Sequence, residues 1–277
     1  MKKVILITGA SSGIGKETAR YFAAKGWNVI ATMRSPEKET ELTKLDNVLV
    51  TKLDVQNIES IKSAITAGIS HFGQIDVLVN NAGYGQMGIF EAAARQQIVN
   101  QFEVNVFGVM DTIKAILPHF RERGKGMIVN ISSGAGKFTL PMLSMYAASK
   151  FALEGFSEAL SFELSALNIK VKIVEPGGTQ TNFNQASADV FAHDASLTDY
   201  DPFLAAAGKM FDTMKQASIT SIEVAEVIYK AITDGTDTLR YAIGNADFNQ
   251  RMNARRQMED QEYIDSIKNG FVKYLQQ

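Results

Sequence analysis

The stretch "KVILITGASSGIGKETARYFAAKG", residues 3–26, changes character twice. It begins as an aliphatic, β-branched run, passes through Thr8-Gly9-Ala10-Ser11-Ser12-Gly13-Ile14-Gly15, and continues with apolar residues at three- and four-residue spacing. That order predicts a strand, a tight turn and a helix. Residues without side chains let another group approach the backbone, and the free N–H groups of a helix N-terminus favour negative charge, which suits a pyrophosphate. The spacing is GxxxGxG rather than GxGxxG. A turn without any ligand would use the same residues, but the position directly after the first strand favours a dinucleotide site.

The alternation continues along the chain. "WNVIATM" (27–33), "NVLVTKL" (47–53), "IDVLVN" (75–80), "GMIVNIS" (126–132) and "IKVKIVEP" (169–176) read as further strands, with helical patterns between them. Short, nearly all-apolar strands separated by helices predict a doubly wound α/β fold: a parallel sheet of about seven strands with helices on both faces. The seventh strand falls near "LRYAIG" (239–244). From 179 to 220 the pattern becomes polar and irregular, and long loops at strand C-terminal ends are usually functional, so a mobile substrate lid is expected there. Residues 245–277 read as a polar helical tail, and residues 1–277 as one domain without repeats or linkers. The basic cluster "RMNARRQ" (251–257) is followed by "MEDQE", which predicts a solvated helix face.

Composition excludes several classes. The 277 residues are 45% hydrophobic and 21% charged, with a formal charge of −2, so no bulk attraction to nucleic acid or an anionic membrane is expected. There is no cysteine, hence no thiolate nucleophile, and His71, His119 and His193 show no ligand spacing, so no metal is expected. The apolar run after Lys2-Lys3 breaks too early for a signal peptide, and no stretch is long enough to span a bilayer, so a cytoplasmic protein is expected.

"MYAASKFALEG" (145–155) holds a tyrosine and a lysine four apart. On a helix Tyr146 and Lys150 share one face, and an ammonium near a phenol should lower its pKa from about 10 toward a range useful for acid–base work. "YFAAK" (21–25) repeats the spacing with Tyr21 and Lys25, so spacing alone decides nothing. Tyr21 reads as packing, and Lys25 as solvated near a helix C-terminus, where a cation is favourable.

The TGxxxGxG turn, "NNAG" (80–83), "NISSGAG" (130–136), the Tyr146…Lys150 pair and "PGG" (176–178), in this order, resemble the classical short-chain dehydrogenase/reductase family. The wording "ATMR", "NAGYGQMGIFE" and "YAASKFALEG" is most similar to the branch containing 17β-hydroxysteroid and retinol dehydrogenases. The resemblance implies a Rossmann fold and places Gly9, Ser11, Ser12, Gly13, Ile14 and Gly15 on the cofactor phosphates. It expects an acid for the adenosine ribose where Met33 stands; Arg34 follows, and a guanidinium can grip a 2′-phosphate, so NADP(H) is expected over NAD(H). It further implies Asp54 and Val55 at the adenine and Asn81, Ala82 and Gly83 as a wall beside it. Pro176, Gly177, Thr179 and Thr181 would lie near the nicotinamide, with Thr181 the better match of the two threonines. Ser133, thirteen positions before Tyr146, would orient the substrate oxygen, with its neighbour Ser132 the alternative. Asn105 would hold a water in a proton relay, or serve only structure. Met142, Leu143 and Phe183 are candidates to line the substrate.

These expectations amount to an NADP(H)-dependent enzyme interconverting a carbonyl and an alcohol, a carbonyl reductase of a hydrophobic small molecule, with Tyr146 as general acid/base. The resemblance also implies a homodimer or homotetramer formed through helices near 103–123 and 146–168. A non-catalytic NADP(H)-binding regulatory protein of the same fold, and a dehydratase or epimerase, are the alternatives. The first would ordinarily lack the tyrosine or lysine; the second would ordinarily carry a larger C-terminal domain and another glycine spacing.

Overall fold

A computed structural model describes residues 2–181 and 183–276. In chain order the first half comprises β1 (Val4–Ile7), α1 (Gly13–Ala24), β2 (Asn28–Met33), β3 (Val48–Lys52), α2 (Ile58–Phe72), β4 (Val77–Asn80), α3 (Arg95–Phe102), α4 (Gly108–Arg123) and β5 (Gly126–Ile131). The second half comprises α5 (Ser144–Ser165), β6 (Ile169–Pro176), β7 (Thr179–Gln180), α6 (Phe183–Ala188), α7 (Asp201–Gln216), β8 (Ile219–Thr220), α8 (Ser221–Thr233), β9 (Arg240–Ile243), α9 (Ala246–Gln257) and α10 (Asp260–Leu275).

Seven strands form one parallel sheet in the order β3-β2-β1-β4-β5-β6-β9. Its strands are apolar on both faces because both faces are covered. Along β1, Val4 and Leu6 enter one core with Ile30, Leu78 and Ile128, where Ile61 of α2, Ile113 and Phe120 of α4 and Leu153 of α5 meet them. Ile5 and Ile7 enter the other with Val29, Val79 and Val129, against Phe22 of α1 and Val224 and Ile228 of α8. The period-two alternation thus feeds two layers rather than a core and a solvent face. Phe120, fully buried under β5, is a sensitive position, since truncating such a ring to alanine costs about 3–5 kcal/mol.

The chain winds outward from β1 to β3, then crosses back to β4 on the other side of β1. The gap between the ends of β1 and β4 is the switch point where open α/β sheets bind ligands.

Two expectations are corrected. Residues 179–220 are not irregular: β7 pairs with β8, and α7 runs for 16 residues, burying Ala206, Ala207 and Met210 against Phe271 of α10. Its apolar spacing is diluted by small residues, "FLAAAGKMF", and its buried face becomes apparent only with α10 in place. The helical pattern expected between the strands at 75–80 and 126–132 is interrupted by a π-helical turn at Glu103–Phe107, which leaves Asn105 and Val106 buried. Such insertions concentrate at functional sites.

Candidate active site

The glycine turn is fastened to the sheet on both sides of β1. Thr8 N donates to Val79 O (3.0 Å) and Ala10 N to Thr32 O (2.8 Å). The Thr8 hydroxyl accepts from Asn81 N and Ala82 N, both at 3.0 Å, while Asn81 Nδ2 donates to Thr8 O (2.9 Å) and Gly9 O (3.0 Å). The Asn81 side chain is therefore committed to joining the turn after β1 to the turn after β4. Gly9 sits at φ +69°, and an added Cβ would come within 2.8 Å of Ala82 Cα. At Gly15 a Cβ would collide with Asn81 Nδ2 and Gly9 O. A chain with side chains at these two positions could not close the turn onto its neighbour strand.

Helix α1 then starts at Gly13, with neither a side-chain hydrogen bond from its cap residue Ser12 nor an acid in its first turn. Its N-terminal N–H groups and positive dipole end are left facing the switch point. Lys16, one turn in, is spent on Glu39 (3.2 Å) and Glu41 (3.1 Å). Arg34, exposed at the end of β2, makes no ion pair among the described residues. Met33 is buried in the core beside α1. Asp54 keeps its carboxylate within its own turn, accepting from Gln56 N at 3.1 Å, and Val55 packs on Gly108 at the start of α4. These groups fit a dinucleotide: an uncapped helix end for the phosphates and an unpaired cation beyond it.

Beyond the end of β5 the candidate catalytic side chains converge. Ser133 follows β5, its Oγ accepting from Ala135 N (3.1 Å) and hydrogen-bonded with the Tyr146 phenol. Ser132 is buried with no partner for its hydroxyl among the described residues, and it faces Gly136 instead. Of the two serines, Ser133 is the one beside Tyr146. In α5, Lys150 Nζ lies 5.8 Å from the centre of the Tyr146 ring and donates to Ile131 O at 2.9 Å. Asn105, held in the π-turn, donates through Nδ2 to Tyr84 O (2.9 Å) and Ser149 Oγ (3.3 Å) and accepts from Tyr84 N (3.2 Å). It stitches the loop after β4 to α5 while leaving acceptor capacity on Oδ1.

Electrostatically the pair differs from expectation. Burial pushes the Tyr146 phenol up to about 12, opposed by the Ser133 hydrogen bond. Burial pushes Lys150 down to about 8, opposed by the charge of Glu154. A lone ammonium, itself desolvated, does not outweigh the cost of a buried phenolate.

The remaining candidates separate. Thr181 packs its methyl group within 3.1 Å of where a Gly13 Cβ would stand, so the segment after β6 meets the glycine turn. Thr179 is paired into the small sheet, its hydroxyl donating to Gly177 O at 3.0 Å. Gly177 N donates to Ile243 O (2.7 Å), tying the end of β6 beside Pro176 to β9. The Phe183 ring lies 5.5 Å from that of Tyr146. Met142, at a left-handed φ of 61°, lines a cleft of about 230 Å³ with Ile89, Phe90, Ser144, Tyr200 and Phe203. Leu143 instead caps the start of α5. Sequence reasoning missed Thr8, whose hydroxyl organises the NNAG turn; a threonine directly before the glycine run was the available signal.

Comparison with known proteins agrees with this geometry. A family profile described as short chain dehydrogenase matches residues 3–190. An uncharacterised oxidoreductase of Schizosaccharomyces pombe is 43% identical over 77% of this chain and 89% of its own length. Human retinol dehydrogenase 8 is 36% identical over 86% of this chain and 80% of its own. A short-chain dehydrogenase from Streptomyces avermitilis superposes with a TM-score of 0.79 at 32% identity, covering 99% of this chain and 96% of that one. An actinorhodin polyketide ketoreductase variant with NADPH gives a TM-score of 0.76 at 30% identity, covering 90% and 98%. No helix among the described residues is long and apolar enough to cross a membrane. With the strand order, the glycine turn and the serine–tyrosine–lysine cluster already in place, the chain belongs to the short-chain dehydrogenase/reductase family of oxidoreductases.

Proposed function

We propose that this protein is a cytoplasmic, NADP(H)-dependent carbonyl reductase acting on an apolar ketone or aldehyde. The observation that carries the reading is the convergence of Ser133, Tyr146 and Lys150 at the strand ends next to an uncapped helix N-terminus. The turn from Gly9 to Gly15 and the start of α1 would hold the pyrophosphate, and Arg34 the 2′-phosphate. Asp54, Val55 and the Asn81–Gly83 turn would wall the adenine side; Pro176, Gly177, Thr179 and Thr181 would flank the nicotinamide. When bound, the reduced nicotinamide supplies a hydride. Ser133 hydrogen-bonds the carbonyl oxygen, and Tyr146 gives it the phenolic proton, a step that proton-loaded Tyr146 is ready to take. Lys150 anchors the nicotinamide ribose and stabilises the phenolate left behind, and Asn105 supports the return of a proton through a water.

The cleft beside Met142 is lined mostly by apolar side chains, which supports an apolar substrate. Phe107, Phe151 and Phe162 are exposed on the π-turn and α5, which supports a homo-oligomer built through those helices.

The test is NADPH oxidation against a panel of apolar ketones and aldehydes, with NADH as comparator. Turnover with NADPH is expected; none with any carbonyl would reject the reading. Arg34→Ala should weaken NADPH binding by roughly 10- to 100-fold, the worth of a charge-assisted pair, and leave NADH nearly unaffected. An unchanged NADPH to NADH ratio would remove the assignment of cofactor preference to Arg34.

A further inference from the structure

Behind the reaction centre lies a second polar cluster that the proposed reaction does not use. Glu154 stands one turn after Lys150 on α5, and Glu175, on β6, is fully buried. Lys137 Nζ is 3.1 Å from Glu154 Oε2 and 3.8 Å from Glu175 Oε1. Arg240 Nε is 2.9 Å from Glu154 Oε2 and 3.5 Å from Glu175 Oε1, while its Nη2 pairs with Glu158 Oε2 at 2.5 Å. Together with Met252, Arg255 and Arg256 of α9, these two cations line an open cleft of about 460 Å³. The basic stretch of α9 is thus a wall of this cleft and not only a solvated face, although Arg255 is also paired with Asp260.

The cations do not satisfy the carboxyls. Glu154 Oε1 and both Glu175 oxygens lack a hydrogen-bond partner among the described residues. The two side chains lie within hydrogen-bonding reach of one another, and ionised carboxylates have no proton to donate. One proton held between them supplies the missing donor and removes the like-charge repulsion. Burial, reinforced by Glu154, pushes Glu175 up to about 7, consistent with that proton staying in place near neutrality. Gly136 lies against both residues of α5: a Cβ there would meet Glu154 Cγ and Ser132 Oγ at 2.9 Å and Lys150 O at 3.2 Å. The groups facing the pair are Lys150 and Glu158 from α5, Ser132 and Lys137 from the turn after β5, Arg240 from β9, and Arg255 and Arg256 across the cleft.

We propose that Glu154 and Glu175 form a carboxyl pair sharing one proton, in which Glu154 is a positioning residue that keeps Lys150 an ammonium. The inference rests on reading Lys150 as the cation that serves Tyr146. The shared proton leaves the pair near neutrality, below the midpoint of Lys150, so both glutamates face the titrating amine as anions and act on it with the same sign. Without the Glu154 charge, the buried amine loses its proton more easily. Without the acid at 175, the pair carries one charge fewer above neutrality, while Glu154, whose charge bears on Lys150 directly, still holds the ammonium.

The test titrates Lys150 directly, by carbon NMR of protein labelled at the lysine ε-carbon, with the signal assigned by its absence in Lys150→Arg. Glu154→Gln should lower the Lys150 midpoint by roughly one pH unit, the effect of one nearby opposite charge, and Glu175→Gln should lower it by less. The alkaline limb of carbonyl reduction should move in the same directions. A Lys150 midpoint that stays put in Glu154→Gln, or rises in either variant, overturns the proposal. Should either variant fail to fold, infrared spectroscopy of the wild-type protein in heavy water decides: a protonated-carboxyl band that disappears near neutral pH is expected, and its absence overturns the pair. If the lysine midpoints move as expected but no carbonyl is reduced, the proposed function fails and the pair stands. Turnover with immobile midpoints fails the pair alone.

Discussion

The chain contains a tyrosine and a lysine four residues apart, with two alanines between them, twice, on two helices that pack against the same sheet. In α1, Lys25 Nζ sits 5.2 Å from the centre of the Tyr21 ring; in α5, Lys150 Nζ sits 5.8 Å from that of Tyr146. Local geometry is nearly identical because helix pitch dictates it. The surroundings differ. Lys25 is exposed at the end of α1, and Tyr21 packs edge-on against Tyr229 of α8 at 5.6 Å. Tyr146 and Lys150 are buried at the strand ends, with Ser133 against the phenol and Ile131 O holding the ammonium. What separates the two pairs is burial and the third partner, not the spacing. The largest effect should therefore come from removing one oxygen: Tyr146→Phe is expected to cut the rate of carbonyl reduction by roughly 10²- to 10⁴-fold, the usual worth of a positioned acid, with NADPH binding nearly intact. Tyr21→Phe should leave the rate within about twofold, as a surface change away from a site does. Comparable losses in both variants would erase the distinction.

A second contrast is in stability. Lys150 titrates near 8 in the fold against an ordinary 10.5, because burial disfavours its charge. Between those values the unfolded chain binds a proton that the folded chain has released, so this group's contribution to stability is fully present above about 10.5 and is lost as the pH falls through about 8. The gap corresponds to about 3 kcal/mol carried by the folded protein at neutral pH. Lys150→Met removes that cost but also leaves Ile131 O without its donor, so a net gain of about 1–3 kcal/mol at pH 7 is expected, shrinking toward pH 10. Urea denaturation at the two pH values measures it; a variant less stable at pH 7 than at pH 10, relative to wild type, would show that Lys150 is not a buried cost.

Much of this was visible before any coordinates. The sheet was legible because a strand buried on both faces must be apolar throughout, and six such runs can hardly be anything else. The grouping of Tyr146, Lys150 and Ser133 was legible through order along the chain. Three things were not. The helix at Asp201–Gln216 hides among alanines whose burial depends on Phe271, about sixty residues away. The π-turn at Glu103–Phe107 leaves no compositional mark, since "EVNVF" continues an ordinary helical pattern; only the inward demand of Asn105 for Tyr84 and Ser149 shows why the extra residue is there. The third is the direction of the tyrosine shift. Sequence supplies the ammonium beside the phenol but not the desolvation that acts on both, and desolvation is the larger influence.

The smallest effect tests the comparison at its quiet end. Lys25 lies over two rings, 5.2 Å from Tyr21 and 5.7 Å from Tyr229, and its charge sits at the C-terminal end of α1. An exposed cation–π contact contributes about 0.5–1 kcal/mol. Lys25→Met should therefore destabilise the protein by that amount at pH 7, lowering the melting temperature by about 1–4 °C in a chain of this size. The substitution is chemically the same as Lys150→Met, and the expected sign is opposite. In α1 the ammonium keeps its water and gains the rings; in α5 it has lost its water, and the ring beside it does not make up the difference. If both substitutions destabilised equally, the Tyr…Lys contact itself would govern stability at both places, and burial would not be what separates the candidate site from a helix surface.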